Sequence, residues 1–319
     1  MHRIPIIFDC DPGHDDAVAM LIALASDTVE IKAITTAQGN QTVEKTTENA
    51  LKILELCRRT EIPVAKGLTK PLFREQIVAG DVHGKSGMDG PQLPVPTTQP
   101  SALNALELME KVLLESPVPV TIVATGPFTN VAAFLLAYPH LKEKISCISV
   151  MGGGVYEGNR TALSEFNIWN DPEAAQIVMT CGLPVILSGL DVTHKALIRK
   201  EEFRLFREKQ TPIHQFVADL LDFYSLCYVN ERKLAGCPMH DSCAMVSIIE
   251  PDMFTYEDAR IEVDLDGSIS RGGCVVDLRP AFRRTKPNNG KVALDVDRER
   301  FFQLIMTSCD KLAAELEGK

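Results

Sequence analysis

The chain has 319 residues, of which 45% are hydrophobic and 24% are charged, and its formal net charge at pH 7 is −10. These values are typical of a folded globular protein and argue against an intrinsically disordered chain. The acidic balance, with a sequence pI near 5.3 and no basic stripe, also argues against nucleic acid or an anionic membrane as the main partner.

Strands and helices are predicted to alternate along the chain. The first pair is the apolar strand IPIIFD (4–9) and, after a Pro-Gly turn, the helix DDAVAMLIALAS (15–26). The same rhythm continues with the strand VEIKAITT (29–36), the helix TVEKTTENALKILELCRR (42–59), the strands IPVAKG (62–67), PVTIVATG (119–126), ISCISVMGGG (145–154) and LPVILSGLDV (183–192), and the helix beginning at IHQFVADLLDFY (213–224). Such alternation predicts an α/β fold with an open, mostly parallel central sheet and helices on both faces.

The Pro-rich segment PQLPVPTTQP (91–100) is the best candidate for a domain boundary. The alternation of strands and helices resumes directly after it, so we expect a surface loop there. The sequence therefore predicts a single domain over residues 1–319.

The compartment is predicted from targeting signals and cysteines. The apolar run near the N-terminus is only five residues long and ends in acidic residues, and no run of about 18 apolar residues occurs anywhere. The nine cysteines show no CxxC spacing, and an odd number suits a reducing compartment better than a disulfide framework. We therefore expect a cytoplasmic protein.

Polar segments follow several of the predicted strands. In open parallel sheets, ligands bind beyond the carboxyl ends of the strands, so these segments are the candidate site. They are the aspartate-rich stretch 9–16, TTAQGN (35–40), ATGPFTN (124–130) and MGGGVYEGNRTALSEFNIWNDP (151–172).

Four aspartates, Asp9, Asp11, Asp15 and Asp16, lie within the segment 9–16. We expect the strand and the turn to bring all four carboxylates to one small volume. A favourable interaction with the dipole of the following helix would explain only Asp15 and Asp16. Converging carboxylates repel one another unless a cation lies between them. Hard oxygen ligands without Cys or His favour Ca²⁺ or Mg²⁺ over zinc.

One enzyme class compatible with a strand that ends in Asp-x-Asp is the haloacid-dehalogenase phosphatases. In those proteins the first aspartate is a phosphoryl nucleophile and the second is a general acid. The additional pair Asp15 and Asp16 is not part of that pattern, and the later strand ends in this chain are rich in Asn and Gly.

A second class accounts for much more of the chain. The segment DCDPGHDDA (9–17) resembles the N-terminal signature of the nucleoside hydrolases, which are N-glycosidases of ribonucleosides that use a tightly bound Ca²⁺. The resemblance continues in chain order through AITTAQGNQT (33–42), VHGKSGMDGP (82–91), TGPFTNVA (125–132), MGGGVYEGNRTALSEFNIWNDPEAA (151–175), GLDVTH (189–194) and PMHD (238–241). It implies a nucleoside hydrolase fold with a Rossmann-like core, hydrolysis of ribonucleosides to free base and ribose in nucleoside salvage, and a homotetramer.

The resemblance also implies roles for individual residues. The Ca²⁺ ligands would be Asp11, Asp16, the main-chain carbonyl of Thr125, and Asp241, and Asp11 would also be the base that activates water. The substrate ligands would be Asp15, Asn40, Asn159, Glu165, Phe166 and Asn167. Considered without the resemblance, the segment that contains Asn159 and Glu165 is typical of a polar loop.

Two histidines are implied to lie near the leaving base. His240 precedes the implied metal ligand Asp241, and His83 lies in a segment predicted to be a mobile loop. An isolated loop histidine is more often exposed and inert, and the protonation states of both histidines stay open at this stage.

The base preference is predicted from one helix face. If the segment is helical, Tyr224, Tyr228 and Arg232 are spaced four residues apart and run toward the pocket. Tyr228 and Arg232 resemble the inosine–uridine-preferring members, whereas VHGKSGMDGP (82–91) resembles the pyrimidine-selective members equally well. We predict hydrolysis of both inosine and uridine, with a pyrimidine-specific enzyme as the alternative. A catalytically silent nucleoside-binding module is a further alternative, which the presence of Asp11 and His240 disfavours.

Overall fold

The computed structural model describes residues 3–283 and 285–318. Its strands are β1 (Ile4–Cys10), β2 (Val29–Thr36), β3 (Val64–Lys66), β4 (Val120–Ala124), β5 (Ile145–Met151), β6 (Val185–Ser188), β7 (Leu197–Arg199), β8 (Gly236–Pro238), β9 (Phe254–Val263), β10 (Cys274–Asp277) and β11 (Gly290–Val296). Its helices are α1 (His14–Ala25), α2 (Val43–Leu56), α3 (Gly80–His83), α4 (Ala105–Glu115), α5 (Thr129–Ala137), α6 (Phe166–Asn170), α7 (Pro172–Met179), α8 (Leu190–Thr193), α9 (Phe203–Lys209), α10 (Pro212–Ser225), α11 (His240–Ile249) and α12 (Arg298–Glu317).

A nine-stranded sheet in the order β10-β9-β11-β6-β5-β4-β1-β2-β3 organises the described part of the chain. The strands from β11 to β3 pair in parallel, and β9 pairs antiparallel with both β10 and β11. The predicted α/β fold with an open, mostly parallel sheet is therefore confirmed. The antiparallel strands β9 and β10 form one edge of the sheet. Antiparallel neighbours can be joined by a simple reversal of the chain, without a crossover helix.

Strand β1 separates two hydrophobic cores because its side chains alternate between the faces of the sheet. Ile6, Phe8 and Cys10 pack with residues of α1, α2, α10, α11 and α12. Ile7 packs on the other face with residues of α4, α5 and α7. Because both faces of β1 are covered, its sequence is a nearly continuous apolar run instead of an alternating one.

The parallel strands β1, β2, β4 and β5 all end at the same edge of the sheet. The polar segments singled out in the sequence begin at this edge. The Pro-rich segment 91–100 contains no helix or strand. The single domain over residues 1–319 stays a prediction. Across the described residues, the model contains no helix with the length and apolar character needed to cross a membrane.

Candidate active site

One pocket opens at the carboxyl ends of β1, β4 and β5. Its lining includes Asp11, Asp15, Asn40, Asp81, His83, Thr125, Asn159, Arg160, Glu165, Phe166, Asn167, Tyr224, Tyr228, Arg232, His240 and Asp241. Of the residues predicted for the site, Asp16 alone is not part of the lining, and it lies directly against Asp15 and Asp241. The structure therefore brings the predicted residues together, while their roles remain predictions.

The floor of the pocket carries a cluster of three buried carboxylates. Asp15, Asp16 and Asp241 each offer an oxygen atom, and these atoms lie within 4.8 Å of one another. Asp15 and Asp16 lie in the first turn of α1, and Asp241 lies in the first turn of α11, so both helix N-termini point their positive ends at the cluster.

The raised pKa values of these carboxylates indicate that the ionised cluster is unfavourable without a cation. Burial, and then the charge of Asp16, raises the pKa of Asp15 to about 7. Burial, and then the charges of Asp15 and Asp16, raises the pKa of Asp241 well above its usual value. A divalent cation would oppose both shifts, because it favours the ionised carboxylates, and the hard oxygen donors fit Ca²⁺ or Mg²⁺.

Asp11 follows β1 directly and lies beside the cluster. Its Oδ2 accepts a hydrogen bond of 2.7 Å from the backbone N–H of Asn40. The side-chain amide of Asn40 donates to the Asp11 carbonyl and to Oδ2 of Asp16, both at 3.0 Å. A Cβ atom at Gly39 would lie 2.1 Å from Oδ2 of Asp11, so the absence of a side chain there lets the backbone approach the carboxylate.

Asp9 does not join the cluster, and the expectation that four neighbouring aspartates face one volume is wrong for this residue. Oδ1 of Asp9 accepts hydrogen bonds from the Thr35 hydroxyl at 2.6 Å and from the Asn130 amide at 2.8 Å. Asp9 still belongs to β1 and is paired within the sheet, whereas Asp11 lies beyond the strand end and is free to turn into the pocket. The cluster is instead completed by Asp241, from a distant part of the chain.

The polar segment after β5 forms a folded wall of the pocket. The Glu165 carboxylate caps α6 by accepting from the backbone N–H of Asn167, and it also accepts from the backbone N–H of Gly153 at 2.9 Å. The Asn167 amide donates to the Thr125 carbonyl at 2.7 Å, and the Thr125 hydroxyl donates to Asp16 at 2.8 Å. Burial raises the pKa of Glu165 to about 7. These contacts order the part of the segment around Glu165 and Asn167, whereas residues 156–163 form a mostly exposed loop, as the residues alone suggested.

His240 also lines the pocket. Its Nδ1 lies 2.7 Å from the Thr193 hydroxyl, and its Nε2 lies 3.1 Å from the Tyr228 hydroxyl. The ring is buried, and burial lowers its pKa well below the usual value. His240 is therefore held at both nitrogens, and its burial favours the neutral ring.

His83 is also buried, at the end of the short helix α3. The alternative of a solvent-exposed loop histidine is therefore wrong. Its Nδ1 lies 3.1 Å from Nδ1 of His14, and burial lowers the pKa of His83 well below the usual value.

Tyr224, Tyr228 and Arg232 all line the pocket. Helix α10 ends at Ser225, and a π-helical turn over Leu226–Glu231 carries the chain on toward Arg232. The Arg232 guanidinium lies 4.9 Å from the centre of the Tyr228 ring. The three residues thus line the pocket, although the helix changes from α-helical to π-helical hydrogen bonding between the first and the last of them.

Two charged residues at the pocket, Arg160 and Asp81, were not predicted from the sequence. Arg160 and Asp81 form an ion pair of 3.7 Å between the segment after β5 and helix α3. Arg160 also lies 5.0 Å from the centre of the Trp169 ring. Their positions next to Asn159 and near His83 in the sequence are the signals that could have identified them.

Comparisons with known proteins identify the family of this chain. The family model described as inosine-uridine preferring nucleoside hydrolase matches residues 6–303. The pyrimidine-specific ribonucleoside hydrolase RihA of Escherichia coli (strain K12) is 49% identical over 303 residues, which are 95% of this chain and 97% of that protein. RihA of Citrobacter koseri is 48% identical over 303 residues, covering 95% of this chain and 96% of its own length.

Solved structures show the same likeness. The purine-preferring ribonucleoside hydrolase from Gardnerella vaginalis superposes with a TM-score of 0.90 at 32% identity, covering 97% of this chain and 99% of that one. A plant nucleoside hydrolase superposes with a TM-score of 0.88 at 31% identity, covering 98% of this chain and 100% of that one.

Proposed function

The chain belongs to the inosine-uridine preferring nucleoside hydrolase family and is a ribonucleoside hydrolase, and from this premise we propose that the reaction takes place in the pocket around Asp11. The observation that carries the proposal is the buried cluster of Asp15, Asp16 and Asp241 beside Asp11. The products would be a free base and ribose.

Hydrolysis of an N-glycosidic bond needs a water molecule at C1′ of the ribose and a general base, which is a protein group that accepts a proton from this water. Asp11 is the proposed base. Asp11 is buried and lines the pocket. Its Oδ2 accepts a hydrogen bond of 2.7 Å from the Asn40 N–H, and its Oδ1 does not take part in this bond. A carboxylate fixed in this way needs little reorganisation when it accepts a proton.

Ca²⁺ is the proposed cofactor, with Asp11, Asp16, Asp241 and the Thr125 carbonyl as its protein ligands. Such a set of hard oxygen donors suits a cation that accepts six to eight ligands in flexible geometry. When bound, Ca²⁺ supplies Lewis acidity and an anchor for the ribose 2′ and 3′ hydroxyls.

The ribose is proposed to lie against the wall formed by Asp15, Asn40, Asn159, Glu165, Phe166 and Asn167. Carboxylates accept hydrogen bonds from hydroxyl groups, and side-chain amides both accept and donate them. The buried Glu165 is held by three backbone N–H groups, so its position does not depend on the substrate.

The base of the nucleoside is proposed to lie between His83, His240, Tyr228 and Arg232. His240 is the candidate for a proton or hydrogen bond to the departing base, since its Nε2 shares a hydrogen bond with the Tyr228 hydroxyl inside the pocket. The Tyr228 ring offers a stacking surface, and Arg232 can donate to carbonyl oxygens of the base.

Two base preferences are supported by different observations. The pair Tyr228 and Arg232 supports the predicted broad preference for inosine and uridine. The relatives that are 48% and 49% identical are named pyrimidine-specific, which supports pyrimidine selectivity. Both preferences include uridine, so uridine is the proposed common substrate, and the relative rate with inosine separates them.

The deciding experiment is incubation of the purified protein with inosine, uridine and cytidine, with and without a chelator, followed by separation of the free base. Release of uracil that stops on chelation supports the proposal. In a parallel incubation with a phosphomonoester, release of phosphate would support the phosphatase alternative if the nucleosides release no base. Tight nucleoside binding without base release would support a silent binding module.

The compartment and the assembly are part of the same proposal. The nine cysteines are free, which is expected of a protein that works in the reducing cytoplasm. Homotetramer formation is proposed from the family resemblance, and the high exposure of Phe73, Ile269 and Phe282 is expected if other copies cover part of the surface. Light scattering coupled to size-exclusion chromatography measures the assembly directly.

A further inference from the structure

Helix α3 carries two residues of the pocket lining, Asp81 and His83, on a single turn. A helix of one turn is marginal by itself, because few hydrogen bonds offset the cost of fixing its backbone. Its N-cap residue is Ala79, whose side chain has no acceptor that could cap the helix. The position of α3 at the pocket therefore depends on its contacts with the rest of the protein.

The two ends of α3 are held by hydrogen bonds to the segment that follows β2. Before the helix, the Ala79 N–H donates to the Gly39 carbonyl at 3.0 Å. After it, the Gln41 side-chain amide donates to the Gly84 carbonyl at 3.2 Å. These contacts fix the backbone on either side of the helix, and the Asp81 side chain reaches a different part of the protein.

Asp81 contacts the segment that follows β5. Its Oδ2 lies 3.7 Å from Nη1 of Arg160, and both residues line the pocket. The exposed fraction of the side chain is 66% for Asp81 and 35% for Arg160, whereas Asp15 and Asp241 on the pocket floor are buried. The ion pair therefore joins two segments of the lining at the solvent-exposed rim of the pocket.

Arg160 is held in place by contacts of its own. Its backbone N–H donates to the Ser164 carbonyl at 3.0 Å, and the same carbonyl accepts from two neighbouring backbone N–H groups, which closes the exposed loop 156–163 at its base. The guanidinium lies 5.0 Å from the centre of the Trp169 ring, and this contact restricts its orientation. Arg160 thus provides a fixed charge that attracts Asp81, and with it α3.

The strength of the ion pair limits what it can do. A pair between exposed side chains changes an equilibrium constant by about fivefold at most. Such a change is small against the stability of a whole domain. It is sufficient to shift the balance of a one-turn helix between an arrangement in contact with Arg160, here called docked, and one that has moved away.

We propose that Arg160 is a positioning residue, which holds α3 docked through Asp81 and thereby keeps the pocket formed before a nucleoside enters. The inference rests on the proposed function, because it takes this pocket as the nucleoside site. A substrate that binds the docked arrangement has an apparent affinity proportional to the docked fraction. Loss of the ion pair should therefore raise KM and leave kcat nearly unchanged, since α3 is docked in every complex that reacts.

Hydrogen exchange tests the position of α3 without any substrate. The backbone N–H groups of residues 82–84 donate to the carbonyls of Ala79 and Gly80, so they exchange when the helix opens. We expect mass spectrometry of the peptide that contains them to show exchange about twofold to fivefold faster in Arg160→Met and in Asp81→Asn. Unchanged exchange in both variants would overturn the proposal.

The matched control is Arg199→Met. Arg199 lies 3.2 Å from Glu299 in an ion pair of similar exposure, and neither residue lines the pocket. The exchange of residues 82–84 and the KM for uridine should be the same in this variant as in the wild type. An equal acceleration of exchange in Arg199→Met would show a general effect of lost surface charge and would overturn the specific role of Arg160.

A double-mutant cycle with uridine tests whether Arg160 acts through Asp81. Arg160→Met and Asp81→Asn should each raise KM about twofold to fivefold, and the double variant should raise it no further. A raised KM in Arg160→Met alone would mean that the guanidinium contacts the substrate itself. That result, additive effects of the two substitutions, or a loss confined to kcat would each overturn the proposal.

The variants are chosen to preserve the fold. Asp81→Asn keeps the shape of the side chain, and Arg160→Met keeps an unbranched side chain that can pack on Trp169. Melting temperatures should therefore stay close to that of the wild type. If Arg160→Met lowers the melting temperature, Arg160→Gln takes its place in the cycle.

Failure of this inference is distinct from failure of the proposed function. A wild-type protein that releases no base from any ribonucleoside overturns the proposed function, while hydrogen exchange still reports on α3. A wild-type protein that releases uracil, with exchange of residues 82–84 unaffected by Arg160→Met and Asp81→Asn, overturns the inference about Arg160 alone.

Discussion

The backbone N–H of Asn40 donates a hydrogen bond of 2.7 Å to Oδ2 of Asp11, and the side chain of the same asparagine donates to Asp16. Asn40, in the segment after β2, thus orients the carboxylates of Asp11 and Asp16, which follow β1. Because the two strands are parallel neighbours, this link between their ends is a direct result of the sheet order. The first two predictions concern this pair.

Asp11→Asn removes the proposed base and one proposed ligand of the cation. We expect turnover to fall by about two to four orders of magnitude, as is usual for the loss of a general base. Asp9→Asn is the matched control, since Asp9 is a buried aspartate two residues earlier that lies outside the pocket. Steady-state kinetics with uridine measure both variants. Near-normal turnover of folded Asp11→Asn would remove Asp11 from the proposed role.

Asn40→Ala removes the side-chain donor to Asp16 and leaves the backbone contact with Asp11. We expect Ca²⁺ affinity to fall about 10- to 100-fold, which is typical for the loss of a group that orients a metal ligand. Asn49→Ala is the control, because Asn49 also donates two buried hydrogen bonds but contacts the carbonyls of Pro12 and Ser86. Isothermal titration calorimetry measures both affinities. Equal losses in the two variants would contradict a specific role for Asn40.

Removal of the metal should abolish activity and lower the melting temperature. Without a cation, the carboxylates of Asp15, Asp16 and Asp241 lie within 4.8 Å of one another and repel. Added Ca²⁺ should restore both properties, because a ligand that binds only the folded state stabilises it. Differential scanning calorimetry and the uridine assay follow the recovery. Unchanged melting and activity after verified removal of metal would exclude a metal site here.

The stabilisation by Ca²⁺ should grow as the pH rises from about 4 to about 7. Burial raises the pKa of Asp15 from 3.8 to about 7 in the folded protein without metal. A raised folded-state pKa contributes stability that is present below the usual value and lost as the pH passes the raised value. The metal-free protein therefore loses stability in this range. The Ca²⁺-loaded protein keeps its stability, because the ion binds the ionised carboxylates.

The measurement is the difference in melting temperature between the Ca²⁺-loaded and metal-free protein at each pH. The buried His83 and His240 titrate in both forms, so their contribution largely cancels in the difference. A difference that shrinks as the pH rises would contradict the electrostatic interpretation of the cluster.

The base preference is tested by kcat/KM for inosine, uridine and cytidine in the wild type and in Arg232→Trp. The predicted broad preference requires measurable hydrolysis of both inosine and uridine. A preference for uridine over inosine of more than about a thousandfold, or roughly 4 kcal/mol, would establish the pyrimidine-selective alternative. Arg232→Trp should change the ratio between the substrates, because Arg232 lies over Tyr228 at the base end of the pocket.

The sequence by itself determined the fold class and the positions of most pocket residues. Buried parallel strands are continuous apolar runs, and the helices that cover them have their own periodicity, so local patterns were sufficient to place both. Asp11 and Thr125 follow β1 and β4 directly, and Asn40 lies in the short segment after β2. Their position near the strand ends could be predicted because parallel strands end at a common edge.

Tertiary structure alone decided which groups meet. Asp9 is close to Asp11 in sequence, yet it bonds to Thr35 and Asn130, while Asp241 arrives from α11 to complete the cluster. Likewise, the sequence suggested a mobile loop for His83, and the fold buries it against His14. Local patterns determine backbone conformation over a few residues, whereas these pairs depend on how distant helices and strands pack, and on the need of every buried polar group for a partner.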